Sequence, residues 1–218
     1  MHVAALWRYP VKSMAGERLR EVRLTPFGLE GDRVVHVEHA RGRVVTARTH
    51  PTLLGHHAVL GAQGEPLVDG CAWTDTSVTA DIERIVGAGA RLVRDDSVGR
   101  FDILPLLIAT DGAIAAFGYD GRRLRPNLVI GGVQGLDERA WEGKSLQIGD
   151  ALIALADLRG RCVMTTFDPD TLAQDHRVLR SIVDRFDGRL GLNAAVVREG
   201  SVREGDRVDL VEASGRAG

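Results

Sequence analysis

A β-rich α+β fold built as two small units is predicted by three features of this 218-residue chain. Glycine occurs 26 times, which favours many turns and short strands over long helices. Short alternating apolar segments recur between turn residues in the first half. Two segments also share one pattern. Leu146-Gln147-Ile148-Gly149-Asp150-Ala151-Leu152 and Val202-Arg203-Glu204-Gly205-Asp206-Arg207-Val208 both read apolar-x-x-Gly-Asp-x-apolar. A Gly-Asp pair between apolar residues is a turn between strands. Two such units suggest a small barrel in which strands leave and return around a tight corner. Coincidence in a Gly-rich chain is the other reading.

In chain order, residues 21–24 alternate before the turn Pro26-Phe27-Gly28. Residues 33–38 and 43–47 flank Ala40-Arg41-Gly42 and read as a hairpin, and residues 56–60 form another short strand. Thr79 is placed to cap a helix through Val86, ended by Gly87-Ala88-Gly89. Residues 91–94 read as a strand. The polar stretch 95–99 then divides a first unit, 1–94, from a second, 95–213. In the second unit, residues 104–109 read as a buried strand. Thr110 caps a helix through Phe117 that Gly118 stops. Residues 127–130 form a strand closed by Gly131-Gly132. The clearest helix is 174–186, with Val178, Leu179, Ile182, Val183 and Phe186 on one face as a packing stripe.

Composition narrows the function classes. The net charge is −2, so there is no electrostatic footprint for nucleic acid or an anionic membrane. No apolar run reaches 18 residues, and the apolar start ends at Arg8, so a cytoplasmic protein is expected. Lys12 and Lys144 are the only lysines among 28 basic residues, and Cys71 and Cys162 are the only cysteines. Two cysteines cannot build a disulfide scaffold, a four-Cys zinc site or an iron–sulfur cluster.

Several motifs fail on inspection. Gly143-Lys144-Ser145 lacks the Gly-rich cradle of a phosphate loop. Asp168-Pro169-Asp170-Thr171 has the pattern of a phosphatase nucleophile, but no lysine follows residue 144 to complete that site. His56 and His57 point to opposite faces of a strand, so they do not chelate together with His50 or His176.

Cys162 follows Arg159-Gly160-Arg161. A structural cysteine usually sits among apolar neighbours, whereas nearby guanidinium groups favour the thiolate, which binds soft metals or attacks. Cys71, in Gly70-Cys71-Ala72-Trp73, has no charged neighbour and is read as structural.

Tyr9-Pro10-Val11-Lys12-Ser13, Gly31-Asp32-Arg33 and Val45-Thr46-Ala47-Arg48 resemble the N-terminal β-barrel segment that precedes MOSC domains. Arg125-Pro126-Asn127-Leu128-Val129-Ile130 and the stretch from Arg161-Cys162 to Asp170-Thr171 resemble the MOSC domain itself. Leu190-Gly191-Leu192-Asn193 and Gly205-Asp206 fit its end. This domain is named for its place at the C-terminus of molybdenum-cofactor sulfurases, and the likeness is to amidoxime-reducing molybdenum proteins. The implied fold is an N-terminal small β-barrel-like domain followed by a MOSC β-barrel domain with a few helices.

The resemblance implies a molybdenum cofactor with molybdopterin, and Cys162 as both catalytic residue and metal ligand. It implies Lys12, Ser13, Arg33, Arg48, Thr110, Asp111, Arg125 and Asn127 as cofactor-binding residues. The implied reaction reduces a small N-hydroxylated substrate with electrons from a separate electron-donor protein. No ferredoxin-like domain and no membrane anchor are expected. Asp168 could assist proton transfer, with a turn role as its alternative. Residue 160 is Gly where relatives often carry Pro or Ser. A sulfur or cofactor carrier that uses Cys162 without turnover is the competing reading, and a non-catalytic binding domain is a third.

Overall fold

The protein is described by a computed structural model covering residues 1–212. Residue 213, where the second predicted unit ends, lies outside the described residues. The first half supplies β1 (His2–Arg8), β2 (Glu17–Leu19), β3 (Glu21–Thr25), β4 (Gly28–Leu29), β5 (Val35–Glu38) and β6 (Val44–Val45). It continues with β7 (Ala58–Leu60), β8 (Pro66–Val68), β9 (Cys71–Ala72), α1 (Thr76–Val86) and β10 (Arg91–Arg94). The second half supplies β11 (Leu106–Thr110), α2 (Asp111–Phe117), β12 (Leu128–Gly131), β13 (Ser145–Ile148) and β14 (Ala151–Gly160). It ends with α3 (His176–Phe186), β15 (Arg189–Arg198), β16 (Gly200–Arg203) and β17 (Asp209–Val211).

One eight-stranded sheet, in the order β17-β13-β14-β15-β11-β12-β1-β2, dominates. Its pairings are antiparallel except β11–β12, which are parallel and joined through α2. Parallel neighbours need such a crossover. The main core lies on this sheet, built from Leu6, Ile108, Ile130, Leu146, Ile153, Leu192 and their neighbours, and covered by Val22, Leu24 and Leu29. A second core gathers Val11, Met14, Val35, Val37, Leu53 and Ile82 around the small sheets β10-β5-β6 and β7-β8-β9. A third joins Phe117 of α2 to Val178, Ile182 and Phe186 of α3.

The two Gly-Asp turns do different work. Gly149-Asp150 closes a hairpin in which Ile148 faces Ala151. Gly205-Asp206 instead carries the chain from β16, paired with β3, to β17, paired with β13. Hydrogen bonds from Val3 N to Asp206 O (2.9 Å) and from Gly205 N to Val3 O (2.8 Å) tie this corner to β1.

Several boundaries shift from expectation. The cap of α1 is Asp75, not Thr79, because the Asp75 carboxylate accepts from Ser77 N at 2.8 Å and adds a turn at the front. α3 begins behind Asp175, which accepts from Arg177 N. Only the Val178, Ile182, Phe186 row of its stripe is buried; Val183 is 54% exposed. Cys71 is exposed on β9 rather than buried, since its strand edges a small sheet. Thr110 caps α2 and Gly118 ends it in the left-handed region, as the sequence predicts.

Gly112 sits where β11 passes into α2. A Cβ there would lie 2.5 Å from Val133 O and 2.6 Å from Gly135 O. Both are backbone atoms that cannot swing aside. Gly112→Ala is expected to lower stability by about 2 kcal/mol or more, read as a fall in thermal midpoint, while Gly118→Ala costs less: nothing lies within 4 Å there, and only the left-handed backbone opposes a side chain.

Candidate functional site

The two halves meet at a cleft of about 400 Å³. From the first half come Lys12, Ser13, Arg33, Thr46 and Arg48; from the second come Arg123, Arg125, Asn127, Arg159, Arg161 and Cys162. The connecting stretch 101–107 supplies a wall that includes Asp102. Seven of these lining side chains are cationic against the single carboxylate of Asp102. Such a concave surface with low-dielectric walls favours an anion.

Local structure aims these groups. Lys12 is fixed by its amide, which donates to Val35 O at 2.8 Å, beside the Val11–Val35 bridge. Ser13, Arg33 and Arg125 have φ of 71°, 54° and 55°, a conformation uncommon for side chains other than glycine. Half of the six such residues among the described ones therefore line this cleft; backbone strain of this kind gathers at functional sites. Buried Asp32 accepts from Tyr9 N at 2.8 Å and pairs with Arg33. Arg159 lies near the end of β14 and Arg161 just past it, and both reach the cleft. Cys162 follows, and its carbonyl accepts from Thr165 N (3.0 Å) and Thr165 Oγ1 (2.8 Å), which turns the chain into a short 3₁₀ helix, Val163–Thr166.

The charges are unequally matched. Lys12 Nζ lies 2.7 Å and Arg48 Nη2 2.5 Å from Asp102. Arg123 Nη2 is 2.9 Å from Asp168. Among the described residues, Arg125 makes no side-chain hydrogen bond or ion pair; its guanidinium stacks 4.2 Å over the Tyr9 ring, which also carries Arg33 at 5.1 Å. Burial pushes the Arg125 and Arg161 guanidinium groups down to about 10, because each is desolvated close to other cations. Arg161 Nη2 donates to Leu124 O at 2.6 Å, but its buried Nε has no partner among the described residues. Burial likewise pushes the Tyr9 hydroxyl up to about 12, against the pull of Arg125 and Arg33. Burial alone would lower Arg48, but the nearby Cys162 thiol and the charge of Asp102 raise it above the usual range.

The sequence-predicted residues divide. Cys162, Lys12, Ser13, Arg33, Arg48, Arg125 and Asn127 share the cleft. Asn127 also ties the scaffold: its Oδ1 accepts from Leu107 N at 3.1 Å and its Nδ2 donates to Trp7 O at 3.3 Å. Thr110 and Asp111 do not line it. Thr110 is buried, accepting from Ala113 N and donating to Glu138, while the Asp111 carboxylate accepts from Gly132 N and Val133 N and so holds the loop after β12. Asp168 holds its own turn, accepting from the amides of Asp170 and Thr171, and fixes Arg123. Arg123, Arg159, Arg161 and Asp102 are additional lining residues. Arg159 and Arg161 were visible as neighbours of Cys162; nothing in the sequence marks Asp102. No three His, Cys, Asp or Glu gather as a metal cage among the described residues.

Residues 113–209 match the MOSC domain and residues 1–84 match the MOSC N-terminal beta barrel domain. The chain is a MOSC-domain protein with that N-terminal segment in front. Among curated proteins it is 26% identical to mitochondrial amidoxime reducing component 2 of Macaca fascicularis, over 94% of this chain and 82% of that protein. It is 27% identical to human mitochondrial amidoxime-reducing component 1, over 78% of this chain and 67% of that protein. The YuaD protein of Bacillus subtilis shares the fold, with a TM-score of 0.55 and 14% identity over 97% of this chain and 95% of its own. These relatives support a molybdenum-cofactor-binding protein at the level of the family. No described helix is long and apolar enough to cross a membrane.

The unpaired Arg125 carries a cost without ligand. Arg125→Met keeps the length of the side chain and removes the desolvated charge. In the cofactor-free chain this variant is expected to be more stable by roughly 1–2 kcal/mol; an equal or lower melting temperature contradicts the prediction.

Proposed function

We propose that the protein is a molybdenum-cofactor-dependent oxidoreductase that reduces N-hydroxylated compounds, with the Cys162 thiolate as its metal ligand. The observation that carries this reading is the meeting of Cys162 with Lys12, Arg33 and Arg125 in one cation-rich cleft. Molybdopterin bears a phosphate and an enedithiolate that chelates molybdenum. The residues present suit such a group. Arg125 and the Arg161 Nε have donors unmatched by the described protein, and Cys162 is the one thiol among the lining residues. Molybdenum takes soft sulfur ligands, so the thiolate and the enedithiolate are chemically alike in its coordination.

When bound, the molybdenum centre supplies two-electron exchange with an N–O bond. An N-hydroxylated amine, two electrons and two protons then give the amine and water, the electrons coming from a separate electron-donor protein. The chain's own residues bind and orient. Arg33 and Arg125 can grip an oxyanion as forks, and Lys12 acts as a point charge. Ser13 and Asn127 add neutral polar contacts. Arg48 lines the same cleft as Cys162 and adds a further positive charge near the sulfur. The same proposal places 1–94 and 95–213 as two units that share the main sheet, in a cytoplasmic protein that contacts neither nucleic acid nor membrane.

Protein made in a host competent for the cofactor is expected to carry molybdenum and pterin in equal, near-stoichiometric amounts. Cys162→Ser should lose the metal and keep its melting behaviour; normal metal content in that variant removes the ligand assignment. A preparation with neither metal nor pterin but with sulfane sulfur on Cys162, read by intact mass, would favour the carrier function instead.

A further inference from the structure

Asp102 is the one carboxylate in the cleft, and it stands where an anion would be held. Its Oδ1 is 2.7 Å from Lys12 Nζ, and its Oδ2 is 2.5 Å from Arg48 Nη2 and 3.9 Å from Arg159 Nη2. Three cations from three separate segments thus point at one side chain. The carboxyl is held below the usual carboxylate range, since these partners outweigh its partial burial. A scaffold residue would be expected to be fully enclosed, as Asp32 is. The Asp102 side chain instead remains 30% exposed, and Ile103 beside it is 55% exposed.

The segment that carries Asp102 is anchored at one end. Arg100 is buried, donating to Asp32 O (3.2 Å), Asp96 O (2.8 Å), Ser97 O (3.1 Å) and Phe27 O (3.3 Å), with its guanidinium over the Phe27 and Phe101 rings. Its own carbonyl accepts from Lys12 Nζ at 2.9 Å. At the other end, β11 begins at Leu106, locked between β12 and β15. Residues 101–105 form a short strap between these fixed points, and all five line the cleft.

We propose that Asp102 is a built-in placeholder: its carboxylate occupies the position of an incoming oxyanion on Lys12, Arg48 and Arg159, and is displaced with the 101–105 strap when that oxyanion binds. Lys12 is in this account released from Asp102 but kept in place by the Arg100 carbonyl. The placeholder lowers repulsion among the cations before loading and makes entry of a ligand an exchange of one anion for another. This rests on the reading of the cleft as the seat of an anionic cofactor, and it adds how that seat is kept before the cofactor arrives.

The test uses the full chain prepared without cofactor, with inorganic phosphate as the probe, by calorimetry at low ionic strength where such contacts are least screened. Asp102→Asn is expected to bind phosphate about tenfold more tightly than the unaltered chain, and Asp102→Ser, a shorter neutral side chain, should reproduce the gain. Lys12→Met should abolish binding in both backgrounds. Phosphate added to the unaltered chain should speed amide hydrogen exchange within residues 101–104. If the unaltered chain binds phosphate through Lys12 while both Asp102 variants bind equally or more weakly, Asp102 is a fixed positioning group and the placeholder is overturned, with the anionic cleft left standing. Binding without any change in exchange overturns the displacement of the strap. If neither the unaltered chain nor the folded variants bind phosphate, the reading of the cleft as an anion site falls as well.

Discussion

Desolvated guanidinium charge at the seam between the two halves is the constraint on which the rest of the molecule turns. An arginine keeps its proton even when buried, so its charge has to be met by something. The protein meets part of it. Asp32 serves Arg33, Asp168 serves Arg123, and Asp102 serves Lys12 and Arg48. It leaves Arg125 against an aromatic face and Arg161 with a bare Nε. Stability alone would favour apolar residues at these two positions. Their charge suits a ligand of opposite sign.

The scaffold has to hold these like charges together, and it does so with buried polar groups whose bonds run to backbone. Asp32, Asn127 and Arg100 are each nearly inaccessible, and each links segments far apart in the chain. Asn127 joins β1, β11 and the turn before β12 through one carboxamide. Tyr9 works in the same way: its hydroxyl donates to Pro126 O at 3.2 Å, and its ring packs against two guanidinium groups. Loss of any of these would leave an unmatched polar group in the interior, which is costlier than losing the bond itself.

Much of this was readable from residues in order. Thr110 and Gly118 announce α2 because cap chemistry is local. The Cys162 environment was readable because Arg159 and Arg161 adjoin it in sequence. The β-rich α+β class followed from glycine and short alternation. What escaped was set by distance or by competition. Asp75 outcompeted Thr79 as a cap because Ser77 N lay within its reach. The second Gly-Asp turn looks like a hairpin locally, yet β16 and β17 go to different sheets, which only their partners β3 and β13 decide. Thr110 and Asp111 carry the right groups for an anion, but those groups are consumed by Ala113, Gly132 and Val133. Asp102 has no local signature at all, since its meaning comes from Lys12 and Arg48, brought in by the fold.

The position of β1 has a consequence for how the molecule is made. Strand β1 pairs with Leu128–Gly131, and Val3 bonds to the corner at Asp206. The edge strand β17 completes the sheet on β13. Residues 2–8 must therefore wait, unpaired on one side, until residues 128–131 have been made. Closure joins segments more than 120 residues apart in the chain, and non-local pairing of this kind is slow. Until then one side of β1 is a bare sheet edge, open to wrong partners. The cleft waits longer still, because Cys162 must be made before it can stand beside Lys12 and Arg125.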